Sequence, residues 1–282
     1  MKRIISLWFV AYMFALSPAH GAEGFDACSA MFPGGVVPEP KPQSALDLCK
    51  QADGQALFAI RYDTARKTPN WTAHLLTPER MAQITTNSGK MKRPKFKPDA
   101  EISRDDQAAA RSYVNSGFSR GHIVPANDMS WSKAAYNATF HFSNVVPQKQ
   151  TFNAGTWLGE EAAFRKYVKS KNTPMWVFSG VYGTVEDAPA TIGPPFFAPK
   201  VPKCFYKIVV TQPTRNGPYK VLAALYDWND FGKRRAWVNS ITPLQTVEAR
   251  TGIDFFKDLT VESTYDSAYW ALAMPDTPGD CQ

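Results

Sequence analysis

Long apolar runs are almost absent from this 282-residue chain: the only one, Ile4 to Leu16, covers 13 residues. A membrane-spanning helix needs about 20, so a helical integral membrane protein is excluded. No Cys-x-x-Cys pair occurs, and the four cysteines, Cys28, Cys49, Cys204 and Cys281, do not have zinc-ligand spacing. Histidine is scarce, with four in the chain, one of them His20 near the N-terminus. Any imidazole chemistry in the body of the protein must therefore use His74, His122 or His141. No repeat with a period of 20 to 50 residues is visible, which excludes solenoids and propellers. Polar low-complexity stretches are missing too, and 13% aromatic residues is far above what a disordered chain carries.

What is present begins with a leader. Lys2 and Arg3 precede the apolar run, and Ser17-Pro18-Ala19-His20-Gly21-Ala22 follows it, with small residues Ala19 and Gly21 at −3 and −1 of a cleavage site. Residues 1–21 read as a bacterial-type secretory signal, the alternatives being an uncleaved anchor or a buried N-terminal helix. On the first reading the mature protein is periplasmic or secreted and has no membrane anchor. Cleavage removes two cations and no acids, so the net charge falls from +7 to +5. An even number of cysteines in an exported chain reads as disulfides. Of three connectivities, Cys28 with Cys49 and Cys204 with Cys281 is favoured, since the first closes a proline-rich loop and the second pins the C-terminal tail.

Residues 22–55 carry Pro33, Pro38, Pro40 and Pro42 around Gly34-Gly35, which argues for an irregular extension without a regular helix or central strand. Alternating or apolar β-rich runs follow at residues 57–62, 71–76, 139–145, 175–181, 204–210 and 219–226. Helices are expected at 105–114, 153–169 and 244–251, the last closed by Gly252 in the C-cap position. Residues 80–98 read as basic and irregular. No flexible linker interrupts 56–282, so this stretch is expected to be one α+β domain with a mixed or antiparallel β-sheet core and flanking helices.

Lys90, Lys92, Arg93, Lys95 and Lys97 place five cations in eight residues, and Pro94 and Pro98 keep them out of a regular helix. Such a run often only solvates a surface. In a basic chain it nevertheless makes a phosphate backbone the first partner to test.

The segment Ser119-Arg120-Gly121-His122 sets a guanidinium and an imidazole two residues apart, hence on one side of an extended strand. A phosphate held by Arg120 would then lie within reach of His122. Further on, Asn153 opens a helical stretch and carboxylates follow about two turns later. An amide oxygen is a hard neutral ligand that suits magnesium, an ion that keeps most of its waters and needs few protein ligands when phosphate oxygens complete its shell. The combination describes metal-assisted phosphodiester hydrolysis, with neutral His122 deprotonating water. His141 and Asn144 are expected to serve in packing and strand-end hydrogen bonding.

These residues fall in an ordered set: Ser119-Arg120-Gly121-His122, then Ser143-Asn144-Val145-Val146-Pro147-Gln148, then Asn153-Ala154-Gly155-Thr156-Trp157 with Glu161 four residues after the tryptophan. The set resembles the (D/S)RGH, SNxxPQ and NxGxW signatures of the DNA/RNA non-specific endonucleases of the ββα-metal, or His-Me finger, superfamily. The likeness extends from Tyr62 to Phe256, taking in Arg93 with Phe96 and Asp99. Ser119 stands where many members have Asp. The resemblance implies a ββα-metal catalytic motif and an endonuclease acting on DNA and RNA with Mg2+, with Mn2+ as a substitute. It makes His122 the general base, Asn153 the metal ligand, Glu161 the water-orienting carboxylate and Arg93 a catalytic phosphate contact. Arg120, Lys92 and Lys95 would bind substrate, and a homodimer is left open. Two other readings remain, a catalytically silent polyanion-binding module and a phosphodiesterase of the same fold with another substrate. One conflict is internal. On an ideal helix the position seven after Asn153 lies about 20° from it and the position eight after lies about 80° away, so geometry favours Glu160 where the family spacing favours Glu161.

Overall fold

Asp53 and Gly54 both adopt positive φ, 51° and 73°, and form a two-residue hairpin turn between β1 (Ala45–Ala52) and β2 (Gln55–Asp63). Asp-Gly is a preferred pair for such a turn because Gly carries no Cβ and Asp tolerates the left-handed region. Part of the stretch expected to be irregular is thus a strand at the edge of the main sheet. The prolines lie before it. In this computed structural model the described residues are 24–185, 189–229, 234, 236–262, 265–272 and 275–281. The expected leader, residues 1–21, lies outside them. Among the described residues no helix is long and apolar enough to cross a membrane.

The remaining strands are β3 (Thr68–Leu76), β4 (Ser119–His122), β5 (Val145–Gln148), β6 (Met175–Tyr182), β7 (Cys204–Thr211), β8 (Tyr219–Asp227), β9 (Ile241–Thr242) and β10 (Val261–Glu262). The main sheet runs β1-β2-β3-β6-β7-β8-β10, with β9 also on β8. It is antiparallel except for the β8–β10 pair. Strands β4 and β5 form a separate antiparallel pair. Helices are α1 (Pro78–Asn87), α2 (Lys133–Ala138), α3 (Gln150–Phe152), α4 (Leu158–Lys171), α5 (Leu244–Thr251) and α6 (Ser267–Trp270). The expected α+β class and largely antiparallel core are what the chain forms.

Both faces of the sheet are covered, which is why its strands read as nearly continuous apolar runs rather than as strict alternation. Along β8, Leu222, Ala224 and Tyr226 enter one core with Phe152, Trp157 and Phe164, while Val221, Ala223 and Leu225 enter another with Phe25, Phe32, Val247 and Phe255. Successive side chains go to opposite faces, as the pleat requires. The first core lies under α1, α4 and the β4–β5 pair, and the candidate site residues sit on that side. The second is closed by the N-terminal segment and α5. Both favoured disulfides are present, Cys28–Cys49 fastening the N-terminal segment to β1 and Cys204–Cys281 fastening the tail to β7.

Three local expectations need correction. Residues 80–87 are helical, because the Thr77 side chain accepts the Arg80 N–H (3.2 Å) as an N-cap and Pro78 starts the helix without a donor to lose. Irregular backbone resumes beyond α1. Residues 105–114 form two short 3-10 turns, Arg104–Asp106 and Ala110–Tyr113, in place of one helix. In 139–145 the strand begins only at Val145. Thr139 caps α2, and Phe142–Asn144 is a 3-10 turn in which the Asn144 side chain engages backbone groups that a ladder would otherwise use. Helix α5 ends at Gly252 (φ 69°), whose N–H donates to Glu248 O, as expected.

Candidate active site

Arg120 and His122 alternate with Gly121 on β4, and both line one cavity of about 270 Å³. Gly121 is required because a Cβ there would overlap the Gln148 side chain on the paired strand. Asn144 fixes the exit of β4. It is fully buried, its Oδ1 accepts the Val124 N–H (2.8 Å), and its Nδ2 donates to the carbonyls of Val124 and Thr139, both at 3.0 Å. With Ile123 N–H donating to Asn144 O (3.1 Å), the backbone directly after His122 is clamped. That is the bonding role expected of Asn144.

Two aromatic rings set the positions of the cationic groups. The His122 ring stands 5.1 Å from Phe96 and, edge on, 4.7 Å from Phe140. Arg120 Cζ lies 5.1 Å from the Phe96 centroid, and Arg93 Cζ lies 5.7 and 5.6 Å from Phe96 and Phe140. A guanidinium placed over a ring face is held by the ring quadrupole without using its N–H groups. Neither Arg93 nor Arg120 forms an ion pair among the described residues, and both line the cavity. Phe96 and Phe140 were no part of the expected site, although both stand inside the motif segments.

The segment from Asn153 determines which of the two carboxylates faces the cavity. Asn153–Trp157 is a π turn, with Gly155 at φ −99°, ψ −108°, and regular α4 starts only at Leu158. A π turn is a one-residue insertion into a helix. The eighth residue after Asn153 therefore takes the angular place that the seventh has on an ideal helix. Glu161 accordingly lines the cavity with Asn153, His122, Arg93 and Arg120. Glu160 instead turns into the core, 0% exposed, with its Oε2 3.8 Å from Lys207 Nζ on β7. Lys207 also lies 3.8 Å from the centroid of Trp157.

Burial governs the electrostatics. It pushes the His122 imidazole down to about 3, with the nearby Arg93 charge adding to the effect, so the ring is neutral at ordinary pH. Its Nε2 has no partner among the described residues. Burial raises Glu161 to about 7 against the positive charge of Lys207, and Asp128 pushes it further up. Behind Glu161, Asp128 stays ionised because Arg165 and His74 offset its burial. His74 Nε2 donates to Asp128 Oδ2 at 3.0 Å, and Arg165 pairs with the other oxygen. None of these three was foreseen, since they are scattered over β3, the loop after β4 and α4.

The cationic run divides. Arg93 lines the first cavity, Lys95 lines an adjoining one, and Lys92 is exposed and lines neither. His141 is half-buried with its Nδ1 3.9 Å from Asp99, outside both cavities. Among the described residues no group of three His, Cys, Asp or Glu side chains could hold a metal ion. A cation here would have to be one content with a single amide oxygen and oxygens from water and phosphate, which is the habit of magnesium. The donor set, Asn153 beside buried Glu161, fits such an ion.

A sequence model of the DNA/RNA non-specific endonuclease family matches residues 41–262, and the chain belongs to that family. Membership implies a divalent metal in the reaction. The chain is 38% identical over 122 residues to a mitochondrial nuclease EXOG of Xenopus laevis, covering 43% of this chain and 33% of that protein. It is 27% identical over 216 residues to nuclease C1 of Cunninghamella echinulata, covering 74% of this chain and 84% of the other. The chain spans about a third to just over half of the length of the animal EXOG nucleases it matches. A solved structure of an EndoG/EndoGI complex shares the fold, with a TM-score of 0.62 at 24% identity over 75% of this chain and 86% of that one.

Proposed function

We propose that this protein is an exported, magnesium-dependent endonuclease that hydrolyses phosphodiester bonds of both DNA and RNA. The observation that carries the reading is the convergence of Arg93, Arg120, His122, Asn153 and Glu161 on one cavity. Two guanidiniums that form no ion pair among the described residues suit the non-bridging oxygens of a phosphodiester. They discriminate neither base nor sugar, in keeping with cleavage of both nucleic acids.

His122 takes the proton from a water molecule as its oxygen attacks phosphorus, and the 3′ or 5′ oxygen departs. An imidazole held near 3 would be a feeble base, yet the substrate corrects this. A phosphate anion bound between Arg93 and His122 offsets the arginine's charge and favours the protonated ring, raising its basicity when the reacting group is in place. Glu161, near neutrality in its proton affinity, orients the water and stores or returns a proton. Asn153 would hold the cation, which when bound supplies positive charge to the pentacovalent phosphorane and the leaving oxygen.

Export is supported by the leader pattern of residues 1–21 and by two disulfides, which persist in oxidising compartments. The experiment is incubation of plasmid DNA and of RNA with the protein and magnesium, then with chelator, then with magnesium restored. Cleavage of both that stops and returns is expected, with His122→Ala losing about 10²- to 10⁴-fold in rate while still binding nucleic acid. Binding without cleavage would leave a silent polyanion-binding module, and wild-type cleavage by His122→Ala would remove the base assigned here.

A further inference from the structure

The cleft continues past Arg120 into a second cavity of about 680 Å³, which shares Arg93, Arg120 and Asn153 with the first. Phe96, Tyr113 and Phe118 give the second cavity aromatic surface, with Lys95 beside them. Phe118 is stacked on Trp228, centroids 6.2 Å apart at 28°, and Lys149 Nζ lies 5.2 and 4.9 Å from the two centroids. The ring pair thus carries a cation over both of its members. Tyr113 is 7% exposed, and its hydroxyl is buried without a partner among the described residues. Burial holds the phenol well above its usual range, so the hydroxyl remains a donor. A buried hydroxyl with no partner costs free energy unless something arrives to bond it.

A surface that tracks only phosphates needs cations, and of the three rings in the cavity wall only Phe96 serves to hold the arginines. Bases in a duplex are paired and stacked on each other, and cannot turn into such a cavity. A base on a single strand can, since every base has a π-face that stacks on an aromatic side chain. Because the two cavities share the arginines, a phosphate between them would belong at once to the reacting site and to the nucleotide entering the second cavity.

We propose that the second cavity receives an unpaired base of the nucleotide adjoining the scissile phosphate, stacked on Phe118, so that the protein acts on single-stranded stretches of DNA or RNA ahead of duplex. The proposal rests on the nuclease reading and is tested apart from it, by equilibrium binding in chelator where no cleavage is needed. Three fluorescently labelled probes of equal length are used: a single strand, the same strand with abasic sites, and a duplex. The native protein should bind the single strand more tightly than its abasic counterpart. Phe118→Leu keeps apolar bulk against Trp228 and removes the aromatic face. It should weaken the single strand by about five- to 150-fold, the range for loss of one base–aromatic stack, and leave abasic and duplex affinities within about twofold. Phe118→Tyr, which restores a ring, should recover the preference and shows that loss in the leucine variant is not misfolding. Equal weakening on all three probes, or no weakening on the single strand, overturns the subsite. If the base preference is present but neither nucleic acid is cut under magnesium, the nuclease reading fails while the subsite stands.

Discussion

A Glu161→Gln variant should unfold less readily than the native protein at pH 8 while losing most of its activity, and both effects come from one charge count. Behind the cleft, Lys207 and Arg165 face three carboxylates, Glu160, Glu161 and Asp128. Lys207 is nearest Glu160 and Arg165 pairs with Asp128. Glu161 is the carboxylate left over, 7% exposed and with its proton affinity raised by burial from an ordinary 4.5 to about 7. The folded protein thus holds this proton more tightly than the unfolded chain does. Below pH 4.5 both states are protonated and nothing is lost. Between 4.5 and 7 the folded state binds more protons than the unfolded, so stability falls as pH rises, and above 7 the full penalty applies. The gap, at about 1.4 kcal/mol per pH unit, amounts to about 3 kcal/mol. Glutamine carries no such penalty. Urea unfolding followed by tryptophan fluorescence, in chelator so that no cation offsets the carboxylate, should show the two proteins alike in acid and about 3 kcal/mol apart at pH 8. A variant that is less stable at pH 8, or a difference that does not change with pH, would refute the charge count. Nuclease assays on the same preparation then separate fold from function.

Two further outcomes follow from the geometry. With one amide oxygen as the protein's contribution, Asn153→Ala should raise the magnesium concentration needed for half-maximal rate as well as lowering the maximum, read from a magnesium titration of plasmid cleavage; an unchanged requirement would place the ion elsewhere. Because Lys95 lines the cleft and Lys92 does not, Lys95→Gln should reduce the salt slope of duplex binding by up to about 0.9 and Lys92→Gln should leave it unaltered, and the reverse ranking would show that the phosphates run over the outer face of the segment.

The ladder strands were legible because each buries residues on both faces and is β-rich, as Cys204 to Thr211 is throughout. The disulfide pairing followed from a proline-rich loop to close and a C-terminal tail to pin. Strand β1 was obscured by the prolines just before it, although Asp53-Gly54 carries a hairpin signal. Helix α1 was obscured by the cations beyond it, although Thr77-Pro78 marks its start. The catalytic candidates were legible because short motifs keep Arg120 with His122 and Asn153 with Glu161. Their supports were not, since Phe140, His74, Asp128 and Arg165 meet through contacts between separate elements that no local pattern announces. Lys92 and Lys95 looked equivalent in sequence, and only the course of the backbone around Pro94 distinguishes them.

The carboxylate pair shows how a local insertion shifts which residue an ideal helical period brings to the cavity. A regular helix from Asn153 would have put Glu160 over the cleft and sent Glu161 off to the side. The π turn at Asn153–Trp157 adds one residue, so the phase advances and Glu161 reaches the cavity. The same advance turns Glu160 toward β7, where Lys207 meets it, and sets Trp157 under Lys207 in the core. Gly155 makes the turn feasible, its backbone lying outside the helical region. The distortion thus brings one carboxylate to the cavity and buries its neighbour in the core. Two adjacent glutamates of equal intrinsic acidity acquire different surroundings through a single inserted residue, and the buried Glu160–Lys207 pair holds the first turn of α4, from which both project.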